Sequence, residues 1–140
     1  MQADRAPSRL QPESWGNGSV DFPSRVQPIL DRRCVSCHGG EKGIAAGMDF
    51  SGGWTEHFNI SYENLANRRE TQLIAYWIAG IDCMNGTALW SAQIFPPRSH
   101  GLGAAPLADL LVSGHEGRLP DLTRPERDLL MAWIDSNGLY

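Results

Sequence analysis

Ser24-Arg25-Val26-Gln27-Pro28-Ile29-Leu30-Asp31-Arg32-Arg33-Cys34-Val35-Ser36-Cys37-His38-Gly39-Gly40 is the stretch on which the fold turns. Ser24 followed by Gln27 reads as a capping box, and Pro28 fits only the first turn, where a missing N–H costs least. Val26, Ile29, Leu30 and Cys34 then fall on one face of a short helix. Gly39-Gly40 is expected to end that element and turn the backbone away. At the helix end lies Cys34-x-x-Cys37-His38, the pattern of covalent c-type haem attachment. The spacing has a chemical reason: two thiols add across the two haem vinyl groups as thioethers, and the next residue offers an imidazole to the iron as proximal ligand. A thioredoxin-like pair would need a surrounding βαβ pattern, and a zinc site would need two more Cys or His ligands at matched spacing. Neither context is visible.

The rest of the chain fits a small haem domain. Its 140 residues, 41% hydrophobic and 20% charged, make one domain with enough apolar material for a single core. With 15 Gly and 9 Pro, a few short helices tied by long loops are expected rather than a bundle. The longest apolar run, Leu73 to Ile81, is far below the roughly 20 residues of a membrane span and reads as either a buried strand or a helix with Trp77 inward. Net charge is −4, Lys42 is the sole lysine, and the arginines are scattered, which argues against a nucleic-acid partner.

At the far end, Thr123 and Glu126 form a second capping box with Pro125 in the first turn. Leu129, Leu130, Trp133 and Ile134 give the apolar face, and Gly138 the stop. A short helix carrying C-x-x-C-H and a terminal helix with an aromatic face are the two ends of a cytochrome c fold. The expected class is therefore mainly α: a small monohaem cytochrome c fold over residues 21–140, with residues 1–20 as an extended arm or linker that Trp15 could dock.

Here the sequence also resembles a family. Val26 to His38, followed by Ala46-Gly47-Met48-Asp49-Phe50-Ser51-Gly52, looks like the cytochrome c domain of hydrazine synthase alpha subunits and of related planctomycete-type multi-domain proteins. Ser61-Tyr62-Glu63-Asn64-Leu65, Pro97-Arg98-Ser99-His100-Gly101, Pro106 to Leu111, Gly114-His115 and Ala132 to Gly138 are similar to its pattern in the same order. In that family the glycine-histidine step supplies a distal imidazole, so the resemblance implies bis-histidine ligation. Arg68 to Trp90 departs from the pattern. Nothing resembles the other domains of hydrazine synthase, so hydrazine-forming chemistry is not implied.

The distal ligand can be sought without the family. In a small cytochrome c it comes from the far half of the chain, usually the loop before the terminal helix. That loop runs here from Gly114 to Asp121 and contains His115 and no methionine. A helix over about Ala105 to Ser113, with Leu107, Leu110 and Leu111 on one face, would end at Gly114 and aim His115 inward. His57, His100, Met48 and Met84 remain candidates; Met131 reads as core, and Met48 as wall packing.

Phe50, Trp54, Phe58, Trp77, Trp90 and Phe95 are expected to wall the pocket. Arg98 could pair with a haem propionate or be solvated. Cys83 is the odd cysteine, either buried and inert or a handle for an intermolecular disulfide. Residues 1–22 show no secretion signal, yet this attachment chemistry occurs outside the cytoplasmic membrane, so a periplasmic or other extracytoplasmic site is expected, with either an export signal once present or the segment taken from a longer exported chain. The function expected is one-electron transfer between redox partner proteins, or within a larger complex. The alternatives are a haem enzyme or sensor with a displaceable sixth ligand, and an accessory subunit whose haem is structural.

Overall fold

The computed structural model describes residues 6–45, 47–66, 73–74 and 96–140. Among these residues six short helices account for most of the regular structure: α1 (Gln27–Arg33), α2 (Val35–His38), α3 (Gly40–Ala45), α4 (Ile60–Ala66), α5 (Pro106–Ser113) and α6 (Arg124–Asp135). A π turn at Phe22–Val26 leads into α1, and a 3-10 turn at Gly101–Gly103 precedes α5. Among the described residues there is no strand, only isolated bridges between Trp54 and Asn59 and between His115 and Arg118. The expected mainly-α class with short helices therefore holds. No described helix is long and apolar enough to cross a membrane.

The first helical segment starts differently from the expectation. Asp21, not Ser24, is the cap: its carboxylate accepts from the Ser24 backbone N–H at 2.9 Å and from the Ser24 hydroxyl at 2.7 Å. Gln27 is not a capping partner at all but is buried, with its side chain turned inward. The apolar face is as expected, with Val26, Ile29 and Leu30 buried and Cys34 half-buried. Gly39 ends α2, and a Cβ there would meet the Val35 carbonyl at 2.6 Å. The chain then enters a further helical turn, α3, rather than leaving the element.

At the other end the capping box forms as read. The Thr123 hydroxyl accepts from the Glu126 N–H, and the Glu126 carboxylate accepts from the Thr123 N–H at 2.9 Å. Leu129, Leu130, Trp133 and Ile134 are all buried. The π turn packs on α6, with the Phe22 ring 5.3 Å from that of Trp133, and Tyr62, Phe58 and Tyr140 extend this aromatic cluster. Leu65 from α4 and Ile74 complete its interior, and α5 contributes Ala108 and Leu111. Leu107 and Leu110, expected on the inner face of α5, are only half-buried, because Ala105, Ala108 and Leu111 form the stripe that meets the core. In the N-terminal arm, residues 6–14 are exposed, while Trp15 packs against the core.

Where the end of α1 reaches the start of α6, Glu126 does double duty. Its carboxylate accepts from Arg33 Nε at 3.2 Å and from Arg32 at 3.3 Å, while Arg33 also reaches Asp121 at 3.1 Å. Burial pulls the Glu126 pKa up, but the hydrogen bonds from Thr123, Arg33 and Arg32 outweigh it and hold the group down, from an ordinary 4.5 to about 2. A depressed carboxylate pKa contributes stability that is present above 4.5 and disappears as pH falls toward 2. Glu126→Gln keeps a capping acceptor but loses the charge, so it is expected to cost about 1–2 kcal/mol at neutral pH. Urea unfolding should show the variant and the parent converging as pH drops through that window; a constant gap down to the acid limit would rule out this role.

Candidate functional site

Cys34, Cys37 and His38 share one turn of helix. The Cys34 carbonyl accepts from the Cys37 N–H at 3.1 Å and from the His38 N–H at 2.8 Å. Residues three and four apart in a helix lie on the same side, so this backbone presents two sulfurs and an imidazole to one surface. Both cysteines are free thiols, Cys34 half-buried and Cys37 exposed. Burial, with the neighbouring Cys37, pushes the Cys34 thiol up to about 11. A dithiol oxidoreductase needs the opposite at its first cysteine, a lowered pKa that yields thiolate near neutral pH. Nor do three His, Cys, Asp or Glu side chains converge on one point among the described residues, the arrangement a tetrahedral zinc site requires.

The His38 ring is close to two other rings. Phe50, buried, is 5.0 Å away at 36°, and His115 is 5.7 Å away at 42°. The backbone holds this side together: the Phe50 N–H donates to the His38 carbonyl at 2.6 Å, and the Met48 N–H to Gly43 at 2.8 Å. Gly43 has to be glycine, since a Cβ would come within 2.7 Å of the His38 carbonyl group. Nδ1 of His38 is buried and has no hydrogen-bond partner.

His115 reaches the same place from the loop before α6. Gly114 ends α5 at φ 76°, ψ −177°, a conformation that only glycine adopts readily, and a Cβ there would run into the Arg118 carbonyl. His115 and Arg118 then exchange two backbone hydrogen bonds of 2.9 Å around Glu116 and Gly117, both at positive φ. That is a tight two-residue turn of the left-handed type, which fixes the backbone on which the imidazole is carried. Arg33, beside Cys34, bonds to Asp121 at the loop's far end, so one side chain ties the cysteine segment to the His115 loop. Read as a residue, His115 is exposed rather than buried, although its ring faces His38.

The remaining candidates lie elsewhere or outside the described residues. His57 is exposed on the turn at Thr55–Phe58 and its ring contacts Phe58. His100 bonds through Nδ1 with Ser99. Met48 is half-buried against the core, as is Met131 in α6. Arg98 is exposed at φ 64°, with its Cα and Cβ against Gly103, in the segment that docks on the Asp135 end of α6. Glu126, which meets the cysteine segment, lies nine residues back along that helix, about 14 Å at 1.5 Å per residue. Trp54 is 70% exposed. Met84, Cys83, Trp77, Trp90 and Phe95 fall outside the described residues. Sequence reasoning missed Gln27 as a buried partner of Phe50. Its signal was a lone polar residue between Val26 and Ile29 on an otherwise apolar face.

A metal held between two imidazole nitrogens by bonds of about 2 Å, with half a ring beyond each nitrogen, puts the ring centres about 6 Å apart. The His38–His115 pair is spaced close to that value. The donor set also suits haem c: two thiols for thioethers and two imidazoles. No family model, curated protein or solved structure matches the chain.

Proposed function

We propose that the chain is a monohaem cytochrome c domain that transfers single electrons, of the kind its resemblance to the cytochrome c domain of hydrazine synthase alpha subunits implies. The observation that carries the reading is the approach of His38 and His115, distant in sequence, to 5.7 Å beside Cys34 and Cys37. Cys34 and Cys37 would hold the haem as thioethers, each thiol adding its sulfur and its hydrogen across one vinyl group with no net oxidation or reduction. Bound haem supplies a one-electron couple. His38 and His115 would be the two residues that hold the iron. Phe50 covers one face of His38, and Cys37, on the exposed side of α2, marks the edge through which a partner exchanges an electron.

Two imidazoles favour ferric iron more than an imidazole and a thioether do, which sets a low to moderate potential. The acidic chain, with one lysine, suits a partner with a basic patch, and association should weaken as salt rises. The reading implies an extracytoplasmic location.

Production in a host with a haem-attachment pathway tests it. The denatured chain should carry the mass of one haem, and the reduced protein should leave carbon monoxide unbound while small mediators reduce it rapidly. A bare polypeptide mass would overturn the haem, and stoichiometric carbon monoxide binding would favour the enzyme or sensor alternative.

A further inference from the structure

We infer that Gln27 is a positioning residue for His38, acting through Phe50; its consequence for haem rests on the reading above, its geometry on the chain alone. With Nδ1 of His38 buried and unpartnered, no hydrogen bond fixes that ring, and packing has to do so. The packing surface is Phe50, whose ring lies 5.0 Å from that of His38. Phe50 is held on both sides of its own backbone: its N–H donates to His38, and its carbonyl accepts from Gln27 Nε2 at 3.1 Å.

Gln27 can serve as that anchor because every polar group of its amide is used. Nε2 also donates to Asp31 at 2.7 Å, and Oε1 accepts from the Ser61 hydroxyl, which is itself fully buried. An amide has two donor hydrogens and one carbonyl oxygen, so these three partners leave it no alternative orientation. A buried network satisfied throughout is rigid. α1, α4 and the Phe50 segment thus meet at one side chain, two turns upstream of the cysteine pair. The neighbouring Asp49 carbonyl has a separate anchor, the Asn64 amide at 2.6 Å, which provides a control.

The ring current of Phe50 displaces the His38 ring protons, and that displacement is measured by nuclear magnetic resonance of the full chain, with or without haem. Phe50→Leu defines its full size. Gln27→Met, of similar length but without hydrogen bonds, should lose most of the displacement, and adding it to Phe50→Leu should change the His38 signals no further. Asn64→Ala should lower the melting temperature while leaving His38 unmoved. If Gln27→Met does not fold, Gln27→Glu carries the same test, because its carboxylate cannot donate to the Phe50 carbonyl. In haem-loaded protein the low-spin ferric paramagnetic resonance signal should shift in the same variants. His38 signals that stay at parental positions in a folded Gln27 variant overturn the inference, whereas a chain that takes up no haem but shows the His38 shifts overturns only the functional reading.

Discussion

Replacing His115 with alanine is expected to convert the haem-loaded protein from a low-spin six-coordinate spectrum to a high-spin one, and to open it to carbon monoxide. Of the three histidines outside the C-x-x-C-H motif, His115 has its ring against that of His38, while the His57 ring contacts Phe58 and His100 bonds with Ser99. Replacing His57 or His100 should therefore leave the parental spectrum. A subtler variant probes the backbone that carries the ring. Gly114→Ala forces a side chain into a left-handed conformation and against the Arg118 carbonyl, so the turn has to shift. It should give a mixed-spin spectrum with the imidazole still in the sequence. Should the His115 variant keep the low-spin form while a His57 or His100 variant loses it, the ligand assignment falls.

The two helix starts show what local sequence can and cannot carry. Thr123-x-x-Glu126 with Pro125 and a periodic apolar face is a signal contained within a few residues, and α6 forms as read. Ser24-x-x-Gln27 has the same outline, but Asp21 three residues earlier is the stronger acceptor, and a carboxylate that bonds both the amide and the hydroxyl of Ser24 displaces it as cap. Gln27 is then free to face inward, toward Phe50 and Ser61, partners whose positions no local pattern could reveal. The same limit applies to burial. Phe50 and Trp54 looked alike as aromatics after the cysteine motif, yet the first packs on His38 and the second is exposed on the turn bridged to Asn59. A topological argument singled out the loop that carries His115, whose ring lies 5.7 Å from that of His38. For Arg98 the reading rested on residue type and a Pro-bounded loop, and that loop packs near Asp135 of α6.

The largest stability effect is expected at Trp133. Its side chain is fully buried where the π turn meets α6, in ring contact with Phe22 and Tyr62. The indole N–H donates to the Leu139 carbonyl at 2.9 Å, and the Trp133 carbonyl accepts from the Gly138 N–H at 3.0 Å, so the C-terminal residues are folded back over the ring they cover. Truncation to alanine removes the ring, strands the Leu139 carbonyl and leaves a cavity that Phe22, with its backbone in the π turn, cannot fill. Substitutions of this kind cost about 3–5 kcal/mol, a large share of the roughly 5–15 kcal/mol by which domains are stable. For a chain of this size that corresponds to a melting temperature lower by about 10–20 °C. Trp133→Phe keeps most of the apolar volume and gives up the hydrogen bond, so it should fall between the variant and the parent. Trp54→Ala, on the exposed turn, should stay within about 0.5 kcal/mol of the parent. Equal losses at positions 54 and 133, measured by urea unfolding of the same loaded protein, would mean that the crossing of the first segment with α6 is not where the fold is held.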